Sequence, residues 1–98
     1  MKQISAKELE QKLANGETVS IIDVREAEEV AQGKIPAAIN IPLSLIEFRT
    51  QDIEKTKEHV IVCRSGARSG QATMFLTAQG FNVTNMVGGM LDWEGDVE

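Results

Sequence analysis

Two short runs of β-branched residues, Thr18 to Val24 (TVSIIDV) and His59 to Val62 (HVIV), carry the signature of buried strands. Segments of helical pattern lie around and between them. Ser5-Ala6-Lys7-Glu8 reads as a capping box opening a helix to about Ala14, with Leu9 and Leu13 on one face. Asn15-Gly16 stops it. Arg25 to Gln32 predicts a short helix ended by Gly33, Ile35-Pro36 a turn, Ile39 to Ile41 a short strand stopped by Pro42, and Ser44 to about Arg49 a helical stretch. After HVIV comes a loop of small residues, Cys63 to Ser69 (CRSGARS), then a helix over Gly70 to Gln79 capped by Gly80. Asn82 to Val87 reads as a last strand, Gly88-Gly89 as a turn, and Met90 to Trp93 as a short helix. Strands alternating with helices of this length point to βαβ units, an α/β fold with a parallel sheet and helices on both faces. In such sheets the ligand site lies beyond the carboxyl ends of the strands.

The chain of 98 residues fits one domain over 1–98, without linker, repeat or low-complexity tract. Its 15 acids against 10 bases leave a net charge of -5, which argues against nucleic-acid or membrane-surface binding, since both need a basic face. Cys63 is the only cysteine and His59 the only histidine, so an internal disulfide and a four-ligand Cys/His zinc site are excluded. The apolar stretches are too short for a bilayer, and no secretory pattern opens the chain, so the expected location is cytoplasmic. No nucleotide, flavin or metal motif occurs, and no cofactor is expected.

The Cys63–Ser69 segment carries the chemistry. A cysteine that ends a buried strand and precedes a helix can receive successive backbone N–H groups at its sulfur. That field lowers a thiol pKa from its free value of about 8.5 and favours the nucleophilic thiolate. Gly66 and Ala67 let the backbone curl closely, and Arg64 and Arg68 add positive charge suited to tetrahedral oxyanions. The pattern suits attack on a thiosulfate-like or phosphate-like group. A lone cysteine is often a small buried hydrophobe, but such a residue has no use for two arginines directly after it. Residues 59–91 contain those two bases and no acid, a local +2 within a chain that carries -7 elsewhere. His59 is declined as a general base, because it lies four strand residues, roughly 13 Å, from Cys63. A surface role at the start of its strand is expected for it instead. Asp23 and Arg25, at the end of the first strong strand, are expected to brace the loop, Asp23 on its backbone N–H groups and Arg25 on an acid, against the alternative of a solvated turn with a partner such as Glu26 or Glu29. Trp93 reads as a core anchor.

Four stretches together resemble the rhodanese family, in its single-domain form. They are Asp23-Val24-Arg25-Glu26, Gly33 to Pro42 (GKIPAAINIP), Cys63 to Ser69, and Val87-Gly88-Gly89-Met90 followed by Trp93, in order and with the family's spacing. The resemblance implies a three-layer α/β fold with a central parallel sheet of about five strands. It implies that Cys63 takes the outer sulfur of a small anionic donor such as thiosulfate, held by the loop Arg64, Ser65, Gly66, Ala67, Arg68 and Ser69. The persulfide then passes its sulfur to cyanide, a thiol or a sulfur-carrier protein. Family members acting on sulfur have six residues from the cysteine to the closing position, whereas relatives acting on phosphate or arsenate have seven. Cys63 to Arg68 counts six. The sequence departs from the family at Lys34, where His is usual, a change that reads as structural, and at Ala37, where Gly is usual, which makes a positive φ unexpected there. Two rivals stay open: a sulfur-carrying or redox-sensing module using the same thiolate, and a phosphatase or arsenate reductase, against which the loop count speaks.

Overall fold

The computed structural model describes residues 1–98. Five strands form one parallel sheet: β1 (Lys2–Ser5), β2 (Ser20–Asp23), β3 (Ile39–Asn40), β4 (Glu58–Val62) and β5 (Asn82–Val87), in the spatial order β1-β5-β4-β2-β3. The helices are α1 (Ala6–Ala14), α2 (Ala27–Val30) and α3 (Ala67–Ala78), with 3₁₀ turns at Leu43–Phe48, Thr50–Asp52 and Gly89–Asp92. No helix is long and apolar enough to cross a membrane.

The sheet buries both faces, which is why its central strands read as continuous apolar runs. On one face Ile22, Ile61, Cys63 and Val83 pack with Ala72 and Leu76 of α3 and with Ile46 and Ile53. On the other, Ile21, Val60, Val62 and Met86 pack with Ala6 and Leu9 of α1 and with Ile35. Each fully buried Leu or Ile contributes about 1.5–3 kcal/mol relative to an exposed one. Trp93 packs against this second cluster, partly buried, and its indole N–H donates to the Asp96 carbonyl at 3.0 Å.

Local sequence explains the ends of the elements. The capping box over Ser5 and Glu8 forms as expected, each side chain accepting from the other's backbone N–H at 3.0 Å. Gly80, at φ +90°, turns the chain out of α3 while the Phe81 N–H returns to the Leu76 carbonyl. Three expectations are corrected. β1 was not foreseen: it is an edge strand with a single buried residue, Ile4, and pairs only with β5. The Ser44–Arg49 stretch forms a 3₁₀ turn over Leu43–Phe48. Finally, α3 begins at Ala67, three residues before the expected Gly70, because Ala67-Arg68-Ser69 already forms its first turn.

The register aligns the strand ends that matter. Asp23 of β2 lies beside Val62 of β4, so the segments following both strands emerge at the same edge of the sheet. The Val24 N–H continues the ladder onto the Val62 carbonyl at 2.9 Å.

Candidate active site

β4 is the middle strand, and Cys63 follows it directly. The chain then turns through Arg64-Ser65-Gly66 into α3. Gly66 makes that turn possible with φ +101°, and a Cβ there would lie 3.2 Å from the Gly88 nitrogen. The turn folds its donors back onto the sulfur. The Gly66 N–H donates to Cys63 Sγ at 3.0 Å, and the Ser69 hydroxyl lies 3.3 Å from Sγ. Burial pushes the Cys63 thiol up. The Ser69 hydroxyl and the backbone N–H groups of Ser69, Gly66 and Ser65 more than offset this and hold it below the ordinary thiol range. The N-terminal end of α3 adds its dipole in the same sense.

A second segment locks the loop from behind. The Met90 N–H donates to the Cys63 carbonyl at 2.9 Å and the Leu91 N–H to the Arg64 carbonyl at 3.0 Å. Gly88 and Gly89, both at positive φ, bring the backbone this close. The pair expected as a turn thus also places a clamp on the loop's carbonyl side.

The two arginines have different fates. Arg68 makes a bidentate pair with Glu29 of α2, Nη1 to Oε1 at 2.6 Å and Nη2 to Oε2 at 2.8 Å. Arg68, with the Glu26 N–H, holds the Glu29 carboxyl down at about 2. Arg64 is exposed and makes no ion pair. Of the remaining loop residues, Ser65 and Ala67 are exposed, whereas Ser69 is buried and also accepts from the Thr73 hydroxyl at its carbonyl.

Asp23 and Arg25 stand at the neighbouring strand end, but they do not brace the loop as expected. They grip each other instead. Arg25 Nη2 donates to Asp23 Oδ2 at 2.8 Å, Arg25 Nε reaches both carboxylate oxygens, and the pair is buried. Arg25 Nη2 also donates to the Gly33 carbonyl at 2.8 Å, so the pair ties the far end of the α2 segment to β2. The physical reason is reach: two residues apart around Val24, the carboxylate and the guanidinium satisfy each other before either finds the loop. Asn40 Nδ2 closes the bend from outside by donating to the Asp23 and Arg25 carbonyls, each at 2.9 Å.

His59 is corrected too. It is buried, not on the surface, and sits between Ser20 Oγ and the Glu54 carbonyl, each 2.7 Å from a ring nitrogen. A carbonyl only accepts, so Nε2 carries a proton there. Lys34 donates to the carbonyls of Pro36 and Ala38 and pairs with Glu98, holding the turn before β3. No group of three or more His, Cys, Asp or Glu side chains is gathered to hold a metal ion.

The fold and this loop define a class: α/β domains that seat one cysteine in a backbone cradle between the middle strand and a helix. The chain belongs to the rhodanese-like family, whose domain matches residues 5–96. It is 45% identical over 92 residues to a sulfurtransferase of Allochromatium vinosum, covering 93% of this chain and 86% of that one. Over 98 residues it is 43% identical to the Bacillus subtilis protein YtwF, covering 100% of this chain and 95% of the other. A crystal structure of a rhodanese-like domain protein from Staphylococcus aureus superposes with a TM-score of 0.94 at 38% identity, covering 100% of this chain and 97% of that one.

Proposed function

We propose that the protein is a sulfurtransferase that carries sulfane sulfur as a persulfide on Cys63. The observation that carries this reading is the cradle itself: a thiol held below its ordinary pKa by the Gly66 N–H and the Ser69 hydroxyl, in a loop of six residues. In the first step the Cys63 thiolate attacks the outer sulfur of thiosulfate. The new S–S bond forms on Cys63, and the old S–S bond breaks with its electron pair leaving on sulfite. In the second step a thiophilic acceptor (cyanide, a small thiol or the thiolate of a sulfur-carrier protein) takes the outer sulfur and returns the thiolate of Cys63. No second thiol exists in the chain to resolve the persulfide internally, so the sulfur leaves to an outside acceptor.

The loop's roles divide by geometry. The backbone N–H groups of Ser65, Gly66 and Ser69 stabilise the anionic sulfur. Arg68 is engaged with Glu29, so the attraction of an anionic donor falls to exposed Arg64. Asp23 and Arg25 act at a distance, by fixing the α2 segment that supplies Glu29.

Intact-mass measurement tests the reading. Incubation with thiosulfate adds one sulfur atom to the wild type, cyanide removes it, and Cys63→Ser gains none. Absence of the adduct in the wild type overturns thiosulfate as donor. An adduct that neither cyanide nor thiols remove is not sulfane sulfur and overturns the persulfide. A removable adduct without catalytic turnover of thiosulfate and cyanide makes the protein a sulfur carrier, and Cys63-dependent hydrolysis of p-nitrophenyl phosphate makes it a phosphatase.

A further inference from the structure

Asn85 is the one buried polar side chain with an atom left over. It sits on β5 opposite Ile61 of β4, only 4% exposed. Its Nδ2 donates to the Gly66 carbonyl at 3.3 Å, while its Oδ1 has no partner at all. The amide is pressed under the start of α3, since a Cβ on Gly70 would lie 3.6 Å from Nδ2. Burying an unpaired carbonyl oxygen costs stability. A side chain chosen only to fill this space would be apolar, as Val83 is two residues earlier in the same cluster side of the strand.

The Gly66 carbonyl does not need Asn85 for its own satisfaction, because it already accepts from the Gly70 N–H at 3.0 Å. That bond, however, ties the loop only to the helix it begins. The Asn85 bond ties it to the sheet. A glycine at φ +101° has no side chain to hold its flanking peptides, and both peptides matter: one presents the Gly66 N–H to Sγ, the other leads into the first turn of α3. We propose that Asn85 is a positioning residue, which registers the Gly66 carbonyl, and with it the whole cradle, against the end of β4 that carries Cys63. Its unpaired Oδ1 is the stability cost of keeping a donor at that point. The inference rests on Cys63 as the nucleophile.

The test is Asn85→Val, which fits a strand, removes the orphaned oxygen and leaves the Gly66 carbonyl its Gly70 partner. Thr84→Val, on the same strand but the other face, is the control. Three quantities are measured on each: the thermal midpoint, the pH dependence of Cys63 alkylation by iodoacetamide, and kcat/KM for thiosulfate with cyanide. The charged groups about the sulfur (Arg64 and Arg68 of the loop, Glu26 and Glu29 of the α2 segment, Asp92 beside Gly88) are untouched by either change. Asn85→Val is expected to keep or raise the thermal midpoint, to move the thiol pKa up toward the free value, and to lower kcat/KM about tenfold; Thr84→Val moves neither the thiol pKa nor kcat/KM. An unchanged thiol pKa and rate in Asn85→Val overturns the proposal, and so does a fall in midpoint that parallels the loss of activity. If Asn85→Val does not fold, Asn85→Thr is measured in its place, since its shorter hydroxyl cannot reach Gly66; failure of both to fold makes Asn85 a fold determinant and overturns the proposal. A wild-type thiol titrating at the free value overturns the nucleophile reading itself, a result distinct from these.

Discussion

At Gly89 an added methyl group would sit 2.4 Å from the Arg64 carbonyl oxygen and 2.6 Å from that of Cys63, at a φ of +59°. The obstacles are backbone atoms that cannot swing aside, so the turn itself must move. Gly89→Ala is expected to lose about 1–3 kcal/mol of stability. It also breaks the Met90 and Leu91 clamps on the loop, so the rate of sulfur transfer falls while the protein remains folded; urea unfolding and steady-state rates measured together check both. This scale also shows what a sequence hides. Cys63 and its loop were legible because their chemistry is local, a thiol followed by small residues and two arginines. The partners of Gly66 and His59 were not. Asn85 lies 19 residues from Gly66 and Ser20 lies 39 from His59, and only strand register brings them together. The Asp23–Arg25 pair was within reach of sequence reasoning, since two residues around a bend are neighbours by construction, but a loop-directed role was expected in its place.

Among the α-helices, α2 is the shortest, yet it joins two parts of the site. Its Glu29 accepts from the Glu26 N–H at 3.0 Å, closing its own first turn, and grips Arg68 at the start of α3. The folded pKa of Glu29 is about 2, below its ordinary 4.5. A depressed carboxyl pKa stabilises the fold above pH 4.5, and that contribution drains away as the pH falls toward 2. Glu29→Gln keeps the acceptor for Glu26 and removes the charge. It is expected to cost about 0.5–1 kcal/mol at pH 7, discounted for the pair's partial exposure. The urea midpoints of the two proteins should converge near pH 2. A gap that persists unchanged to pH 2 would mean that the ion pair contributes nothing through its charge. The strands β2, β4 and β5 were legible from their β-branched content, and α1 from its caps. β1 was not, because Lys2-Gln3-Ile4-Ser5 has one apolar residue and gains its strand conformation only from β5 beside it. The start of α3 was hidden for the opposite reason: Ala67-Arg68-Ser69 is loop-like in composition yet helical in place.

Over the whole molecule, charge is unevenly used. The chain carries -5 in total, and of the two bases in the region without acids, Arg68 is neutralised by Glu29. The field seen by an approaching dianion therefore depends on Arg64. Arg64→Ala is expected to raise KM for thiosulfate about two- to fivefold with little change in kcat. Added salt should raise the wild-type KM and leave that of the variant nearly flat, because an exposed charge is screened and an absent one is not. Equal salt slopes would remove Arg64 from donor recruitment. The strand order has a consequence in time. β5 supplies the Asn85 bond to Gly66, leads into the Gly88–Gly89 clamp, and is the only partner of β1. A growing polypeptide has made Cys63 long before it has made these residues. Until β5 slots between β1 and β4, the loop lacks the Asn85 bond and the Gly88–Gly89 clamp that hold it against the sheet. On the role proposed for Asn85, the thiol reaches its full activation only when the last strand closes the sheet, so a chain cut short before Asn85 is expected to alkylate Cys63 with the pH dependence of a free thiol.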